Sequence, residues 1–213
     1  MKICEIFHSI QGEGVNAGTP AIFVRFFGCN LQCKWCDTKQ SWRKDQAKFE
    51  ELEIDKIIKK IGLFDCKHVV FTGGEPTLFQ EEMKKIVDGL NTLSPQKYSF
   101  ELETNGSFSI QDDIWQTINI SPKLKNSGNK SYEVKANDFP AKTWWKFVVE
   151  DENDMPEILE IKKKYNIPDE KMLLMSQGQT KKEIEKVSPK IIELCKKYGF
   201  RFGPRLHLIF NQQ

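Results

Sequence analysis

The chain has 213 residues and a mass of 24.8 kDa, with 32 basic and 30 acidic residues that give a formal net charge of +2. This length suits one domain with a full hydrophobic core. The balanced charge gives no indication of nucleic acid or a membrane surface as a partner, and no apolar run approaches membrane-spanning length. Because the opening stretch MKICEIFHSIQGEG is too short and too polar for a signal peptide, we expect a cytoplasmic protein.

Short apolar strands alternate with amphipathic helices along the chain. The sequence predicts strands over Lys2–Ile10, Ala21–Phe27, His68–Thr72, Tyr98–Glu103, Thr117–Ser121, Trp144–Val149, Met172–Met175 and Arg205–Phe210. It predicts helices over Leu52–Leu63, Gln80–Leu93, Met155–Tyr165 and Lys181–Tyr198. This alternation predicts a mainly parallel α/β sheet. Because so few long helices accompany the strands, we expect an incomplete barrel that forms a single domain over residues 1–213.

Three cysteines, Cys29, Cys33 and Cys36, are spaced Cys-x3-Cys-x2-Cys in a loop that we place at about residues 28–45. Three thiolates can ligate three irons of a 4Fe-4S cluster and leave the fourth iron open to a small molecule. Zinc is the rival metal, but structural zinc usually takes four ligands in two pairs, and no second pair is present. A further set of cysteines is expected to be buried free thiols, as in a reduced compartment: Cys4, Cys66 and Cys195.

Three predicted strands end in polar turns: TGGEP at 72–76, ELETNG at 101–106 and SPK at 121–123. In the first turn the two glycines let a ligand approach the backbone closely, and Glu75 could pair with an ammonium group. Each turn alone is more often an ordinary connection. Three in series at the carboxyl ends of parallel strands predict one ligand-binding rim.

The motifs CNLQCKWCDT, TGGEP, ETNG and SPK, in this order and spacing, resemble the radical S-adenosylmethionine superfamily. Within it the chain resembles the 7-carboxy-7-deazaguanine synthase family over nearly its whole length. The segments FHSIQGEGVNAGTPAIFVRFFGCN, CDT and PRLHL are the most specific for that family. The resemblance implies the partial TIM-like barrel of that superfamily, with flanking helices.

The resemblance also implies the chemistry. It implies a lyase that uses a 4Fe-4S cluster, S-adenosyl-L-methionine and Mg²⁺ to convert 6-carboxy-5,6,7,8-tetrahydropterin into 7-carboxy-7-deazaguanine and ammonia, in 7-deazapurine (queuosine precursor) biosynthesis. A 5′-deoxyadenosyl radical would start the reaction by taking hydrogen from C6 of the pterin. A flavodoxin- or ferredoxin-like electron donor and a homodimer are implied as well, whereas no basic, aromatic-rich stretch indicates nucleic acid.

The resemblance assigns three groups of site residues. Metal ligands are Cys29, Cys33 and Cys36 for the cluster and Thr38 for magnesium. Cofactor-binding residues are Trp35, Cys36, Asp37, Gly74, Glu75, Ser121, Pro122, Lys123, Ser176, Gln177 and Gly178. Substrate-binding residues are Ile10, Gln11, Gly12, Glu13, Arg25, Thr72 and His207.

Several of these residues have an ordinary structural explanation that the sequence leaves open. Arg25 lies in an apolar stretch and needs an anion, which could be the substrate carboxylate or a glutamate of the chain. The hydroxyl of Thr38 could cap a turn. His207 could lie in a strand, with its ring nitrogens hydrogen-bonded within the protein. The chain ends in LIFNQQ, unlike the Gly-Asn-Lys-Arg-Gly type of ending in many relatives.

Two other functions remain open at this point. A glycyl-radical activase would share the cysteine triplet and Gly-Gly-Glu, but it needs a surface for a partner protein. Arg25 and the QGEG loop favour a small carboxylate substrate over that partner. If the protein were instead a non-enzymatic iron–sulfur or zinc binding module, the polar turns would be ordinary connections with no role in ligand binding.

Overall fold

The computed structural model describes residues 1–94, 97–111, 113–130, 132–135 and 141–211. The strands are β1 (Lys2–Ile10), β2 (Pro20–Phe26), β3 (Glu50–Glu51), β4 (His68–Gly73), β5 (Ser99–Thr104), β6 (Thr117–Ile120), β7 (Thr143–Val149), β8 (Met172–Ser176) and β9 (Arg201–Gly203). The α-helices are α1 (Ile54–Gly62), α2 (Gln80–Leu93), α3 (Met155–Lys164), α4 (Lys181–Tyr198) and α5 (Leu206–Phe210). No helix among the described residues is both long and apolar enough to cross a membrane.

All the strands join one sheet in the order β3-β1-β2-β4-β5-β6-β7-β8-β9. Strand β1 is antiparallel to both β2 and β3, and every pair from β2–β4 to β8–β9 is parallel. Among the described residues, β3 pairs only with β1 and β9 pairs only with β8. The sheet is therefore open at both edges and forms the partial barrel that was predicted.

The two faces of the parallel strands differ in chemistry because successive side chains point to opposite faces. The outer face packs against the helices through large apolar side chains, among them the fully buried Phe26, Phe71, Phe100 and Phe147. The residues next to them in sequence face the inside of the partial barrel. On β2 and β7 these neighbours include the cations Arg25 and Lys146, so the inner face carries charge where the outer face is an apolar core.

Local signals in the sequence set the ends of the helices. Helix α4 begins with a capping box between Thr180 and Glu183 and ends at Gly199, whose φ of 71° is the left-handed conformation common at helix C-termini. Its buried residues include Ile184 and Ile191, which lie on one stripe against the sheet. The predicted bounds of α2 and α4 are confirmed, and those of α1 and α3 differ by one or two residues at their ends.

The last predicted strand, Arg205–Phe210, is wrong: residues Leu206–Phe210 form helix α5. Pro204 cannot donate to a strand ladder, and the amides of Leu208 and Ile209 bond back to the carbonyl oxygen of Arg205 at 3.1 Å. The short strands β3 and β9 were not predicted, because two or three residues carry no period. The last two residues of the LIFNQQ tail lie outside the described residues.

Candidate active site

A cavity of about 390 Å³ opens inside the partial barrel at the carboxyl ends of the parallel strands. This is the edge at which sites gather in parallel α/β sheets. Its wall includes the three loop cysteines: Cys29, Cys33 and Cys36. It also includes the loop from Gln11 to Glu13, which follows β1, and the start of α5.

The loop that carries the cysteines is fixed to the turn after β4 by close backbone contacts. The Gly74 amide donates to the Phe26 carbonyl at 3.0 Å, and the Glu75 amide donates to the Gly28 carbonyl at 2.8 Å. A Cβ on Gly74 would lie 1.8 Å from the Gly28 oxygen, so only glycine fits there. The TGGEP turn therefore packs directly against the start of the cysteine loop and fixes its position.

The three sulfur atoms are surrounded by groups suited to thiolate ligands. The Cys29 sulfur accepts from the Leu31 amide at 3.4 Å, and the Cys33 sulfur accepts from Asn129 Nδ2 at 3.1 Å. Burial raises the pKa of the Cys29 thiol to about 11, so metal binding must displace a proton there. No fourth cysteine lies on the described cavity wall, and this donor set fits a 4Fe-4S cluster with one iron open better than tetrahedral zinc.

Glu75 is fully buried and does not form part of the cavity wall. Its carboxylate accepts hydrogen bonds from the Thr77 amide and hydroxyl, the Thr104 hydroxyl at 2.7 Å and the Asn105 amide at 2.7 Å. Burial raises its pKa, against the effect of these donors. Glu75 therefore links the TGGEP turn to the ETNG turn by hydrogen bonds, and its side chain does not contact the space that a ligand in the cavity would occupy.

The SPK turn is joined to the ETNG turn by a tyrosine. The Tyr132 hydroxyl donates to the Asn105 carbonyl at 2.7 Å and accepts from the Lys123 amide at 3.0 Å. The Lys123 ammonium donates to the Ser121 hydroxyl at 2.6 Å and lies 5.7 Å from the centre of the Trp35 ring. These contacts bring the predicted cofactor residues of two distant segments to one side of the cavity.

Glu13 lies between two buried cations. Its Oε2 atom accepts from Lys146 Nζ at 2.8 Å, and its Oε1 atom accepts from Arg205 Nε at 3.1 Å. Lys146 also pairs with Glu103 at 2.6 Å. Burial opposes ionisation of Glu13, but the charges of Lys146 and Arg205 outweigh it and hold its pKa far below the usual range.

Glu103 behaves in the opposite way although it shares Lys146. Burial raises its pKa to about 7, because the attraction of Lys146 is partly cancelled by the negative charges of Glu101 and Glu13. Gln11 lies against the same carboxylates: its Nε2 donates to Glu101 and, at 3.3 Å, to Glu103. The Gln11 amide, which was expected to face a ligand, is thus used within the protein.

Asp37 and His207 meet on the far side of Glu13. Asp37 accepts from Arg205 and lies 3.3 Å from His207 Nε2. Burial opposes its ionisation, but the His207 hydrogen bond and the Arg205 charge hold its pKa at about 2. Glu13, Asp37 and His207 offer ligand atoms within 4.8 Å of one another, but Arg205 bridges both carboxylates and Lys146 takes the remaining oxygen of Glu13. This geometry is an ion-pair network and not a metal site.

Arg25 lies on the cavity wall and forms the internal ion pair that the sequence left open. Its Nε lies 2.6 Å from Glu5 Oε1, with side-chain exposures of 16% and 27%. This pair uses one of the five guanidinium N–H donors. Arg25 therefore has the geometry to hold a carboxylate in the cavity while its other edge is fixed by Glu5.

Thr38 lies on the cavity wall beside the last cysteine, with Oγ1 3.7 Å from Cys36 Sγ. It precedes a short 3₁₀ turn, but its side chain makes no capping hydrogen bond there. The capping explanation of this hydroxyl is therefore wrong.

The cavity brings together most of the predicted site residues. Those on the wall are Ile10, Gln11, Gly12, Glu13, Arg25, Cys29, Cys33, Trp35, Cys36, Asp37, Thr38, Thr72, Gly74, Ser121, Lys123 and His207. Those off the wall are Glu75, Pro122, Ser176, Gln177 and Gly178. The Gly178 carbonyl accepts from Arg205, and the Ser176 hydroxyl contacts Ser188 at 2.9 Å, so both support the site from behind.

Lys146 and Arg205 are central to the site, yet the sequence argument did not single them out. Lys146 lies in the apolar run TWWKFVV, and the reasoning applied to Arg25, that a cation in such a run needs an anion, would have found it. Arg205 lies in PRLHL, a segment valued for its resemblance and not for its charge. Its partners are distant in sequence, so only the fold reveals them.

Comparisons with known proteins place the chain in a class and then in a family. The family model described as the Radical SAM superfamily matches residues 23–191, so the chain belongs to that superfamily. Relatives named 7-carboxy-7-deazaguanine synthase are 35% identical in Pyrobaculum aerophilum, covering 98% of this chain and 94% of the relative, and 33% identical in Hyperthermus butylicus, covering 98% and 92%. A crystal structure of QueE from Escherichia coli matches with a TM-score of 0.73 and 27% identity, covering 97% of this chain and 94% of that one.

The chain therefore belongs to the 7-carboxy-7-deazaguanine synthase family. It is a radical S-adenosylmethionine enzyme, which implies a 4Fe-4S cluster and adenosylmethionine as its cofactors. This membership excludes the non-enzymatic module. The superfamily match agrees with the fit of the cysteine triplet to a cluster.

Proposed function

We propose that this protein converts 6-carboxy-5,6,7,8-tetrahydropterin into 7-carboxy-7-deazaguanine and ammonia. The observation that carries the proposal is that the wall of one cavity includes the cysteine triplet, Arg25 and the loop from Gln11 to Glu13. One end of this cavity suits a cluster with adenosylmethionine, and the other suits a small carboxylate substrate. When bound, the cluster and adenosylmethionine supply a 5′-deoxyadenosyl radical to the substrate.

The chain's own residues orient the substrate and hold charge around it. Arg25, fixed by Glu5, would pair with the substrate carboxylate. The Glu13 carboxylate, held by Lys146 and Arg205, would accept from N–H groups at the edge of the pterin. Gly12 lets this loop pack closely against the start of α5, because a Cβ on it would lie 2.5 Å from His207 Nδ1.

On the cofactor side, Trp35, Ser121 and Lys123 would contact adenosylmethionine, and Gly74 would let it approach the backbone. All four are on the cavity wall. Glu75, Pro122, Ser176, Gln177 and Gly178 would act indirectly, by holding these residues in place. The partly exposed ammonium of Lys123 beside the Trp35 ring would interact with the carboxylate of the cofactor.

Magnesium would be held by Thr38, whose hydroxyl faces the cavity without a capping bond. Mg²⁺ usually takes one or two protein oxygens and completes its shell with substrate and water. In this role it would orient the substrate carboxylate. An assay of Thr38→Ala over a range of magnesium concentrations should show a higher magnesium requirement, and an unchanged response would remove Thr38 from the metal's ligands.

The remaining parts of the proposal concern partners and location. We expect a flavodoxin- or ferredoxin-like protein to deliver the electron, a homodimer in solution and a cytoplasmic location. Sedimentation of the reconstituted protein tests the dimer. Reduction of the cluster by a purified flavodoxin, followed by its visible spectrum, tests the donor.

The test of function is one anaerobic assay. The protein is reconstituted with iron and sulfide, reduced, and mixed with adenosylmethionine, magnesium and 6-carboxytetrahydropterin, with the Cys33→Ala variant as control. We expect 7-carboxy-7-deazaguanine by mass spectrometry from the wild type alone. Release of 5′-deoxyadenosine without that product would reject the substrate but keep the radical class, and a glycyl-radical activase would then be tested with a protein substrate.

A further inference from the structure

Residues 125–129, between the SPK turn and β7, contact the cysteine loop at several points. We call Asn126, Ser127 and Asn129 the brace. The Ser127 carbonyl accepts from the Lys34 amide at 2.9 Å, and Asn126 Oδ1 accepts from Trp35 Nε1 at 3.2 Å. The brace therefore holds the middle of the cysteine loop from outside the cavity.

Asn129 makes the one brace contact that reaches a sulfur atom. Its Nδ2 lies 3.1 Å from Cys33 Sγ. The orientation of the amide is fixed by its other contacts, because Oδ1 accepts from the Gln32 backbone amide at 2.9 Å. A backbone N–H can only donate, so Oδ1 must face Gln32 and the N–H₂ group must face Cys33 and the Ser127 hydroxyl.

The other two sulfurs are treated differently. Cys29 Sγ accepts from the backbone amide of Leu31, and Cys36 Sγ lies near the Thr38 hydroxyl at 3.7 Å. Asn129 thus provides the sole side-chain amide donor to a loop sulfur among the described residues. It lies 96 positions away from Cys33 in the sequence, so the fold must bring it there.

We propose that Asn129 is a positioning residue that raises the reduction potential of the cluster and helps to retain it, by donating a hydrogen bond to the Cys33 thiolate. Reduction adds negative charge to a cluster already ligated by thiolates. An N–H donor at a ligating sulfur stabilises the more negative, reduced state, and such bonds are among the factors that set cluster potentials. Hydrogen bonds to ligands also orient them and affect how tightly the metal is held.

This inference rests on the cluster of the proposed function, but its test does not need the product. Two variants distinguish the effect of the N–H donor from the effects of side-chain size and charge. Asn129→Leu removes the donor and acceptor at similar size and without charge. Asn129→Asp keeps an acceptor for the Gln32 amide and puts a negative charge beside Cys33.

The measurement is a redox titration of the reconstituted protein, followed by electron paramagnetic resonance without adenosylmethionine or substrate. We expect a more negative midpoint potential in Asn129→Leu and a still more negative one in Asn129→Asp. We also expect iron loss to a chelator to be about 10-fold faster in both. Wild-type potentials in variants that carry an intact cluster would overturn the proposal.

The matched control is Asn126→Ala, which breaks the brace contact with Trp35 but touches no sulfur. Its potential should equal that of the wild type. If it shifts as far as that of Asn129→Leu, the effect comes from loop packing and the proposal is wrong. If Asn129→Leu does not fold, Asn129→Asp answers the same question, because it retains the contact with Gln32.

The two proposals can fail separately. The titration contains no pterin, so a shifted potential with no 7-carboxy-7-deazaguanine in the product assay would reject the substrate and keep the role of Asn129. Unshifted potentials together with product formation would reject the role of Asn129 and keep the function.

Discussion

At the scale of single residues, the inner face of the sheet combines buried charges that are stable only as a set. Lys146 is 2% exposed and pairs with Glu13 and Glu103, and Arg205 is 4% exposed and pairs with the same Glu13 and with Asp37. Because each cation holds carboxylates that are also buried, removing one of them leaves charges without compensation. The residue predictions below follow from this dependence.

Lys146→Met should destabilise the protein strongly. The change keeps the length of the side chain but leaves Glu103 buried without a cation and Glu13 with Arg205 alone, a loss of about 3–5 kcal/mol for a broken buried pair. Urea unfolding of the metal-free protein measures it. The control is Lys164→Met, which breaks an exposed pair with Glu133 and should cost far less stability because solvent screens that pair; similar losses in the two variants would contradict the prediction.

Glu103 should make the protein less stable as the pH rises from about 4.5 to 7. Its pKa in the folded protein is about 7, above the value of 4.5 for a free glutamate. Between these values the folded state binds a proton that the unfolded state has released, so the free energy of unfolding falls as pH rises. Urea midpoints across this range should fall more steeply in the wild type than in Glu103→Gln; parallel curves would show that Glu103 titrates normally.

Arg25→Ala should weaken binding of the carboxypterin while cleavage of adenosylmethionine continues. A lost charge-assisted hydrogen-bond pair costs about 2–4 kcal/mol, or roughly 30- to 1000-fold in affinity. Equilibrium binding of substrate to the reconstituted protein measures it, with 5′-deoxyadenosine release as a second readout. The control is Arg201→Ala, an arginine that lies over Trp144 away from the cavity. Loss of the cluster or of folding in Arg25→Ala would instead make its pair with Glu5 purely structural.

At the scale of elements, the site is formed by turns that belong to different strands and are held to each other by single side chains, each of which makes two hydrogen bonds between turns. Glu75 ties the turn after β4 to the turn after β5. Tyr132 ties the turn after β5 to the turn after β6. Because each tie is small, it can be removed without disturbing the core on the outer face.

Tyr132→Phe should weaken adenosylmethionine binding about 5- to 150-fold. The change removes one hydroxyl, and with it the bonds to the Asn105 carbonyl and the Lys123 amide, each worth about 0.5–1.5 kcal/mol. Equilibrium dialysis with the reconstituted protein measures the affinity. Tyr165→Phe is the control, since its hydroxyl donates to the Val134 carbonyl at 2.9 Å and lies outside the cavity; equal weakening by both variants would show a general loss of stability.

At the scale of the whole molecule, the core and the site occupy opposite faces of one sheet. The main apolar core lies between the outer face and the helices, whereas Cys33 and Trp35 belong to a small separate cluster with Val148 and Met175. We therefore expect folding of the metal-free protein not to depend on the loop cysteines. This separation explains how a charged inner face can coexist with a large hydrophobic core on the other face of the sheet.

A variant with all three loop cysteines replaced by alanine should fold in the absence of metal. We expect a far-ultraviolet circular dichroism spectrum like that of the metal-free wild type. We also expect a free energy of unfolding within about 1 kcal/mol of the wild-type value, the size of an average point substitution. Cys195→Ala is the comparison, because Cys195 is buried in the main core. A loss of cooperative unfolding in the triple variant would show that the cysteine loop organises the fold.

The sequence alone determined the parts of this protein that depend on local patterns. The alternation of short apolar runs with amphipathic stretches predicted the main strands and helices, because the period of the side chains shows which face is buried. The spacing of Cys29, Cys33 and Cys36 predicted the cluster site, because one loop supplies all three ligands. Where the pattern was too short, as at β9, or Pro204 redirected the chain into α5, the prediction was absent or wrong.

The tertiary structure decided which charges meet. Glu13 is separated from Lys146 by 133 positions and from Arg205 by 192, and Asn129 reaches Cys33 across 96. No local period encodes such pairs, because they arise only when parallel strands bring their carboxyl ends to one edge. The sequence predicted which groups bind, and the fold decided how they are held, charged and oriented.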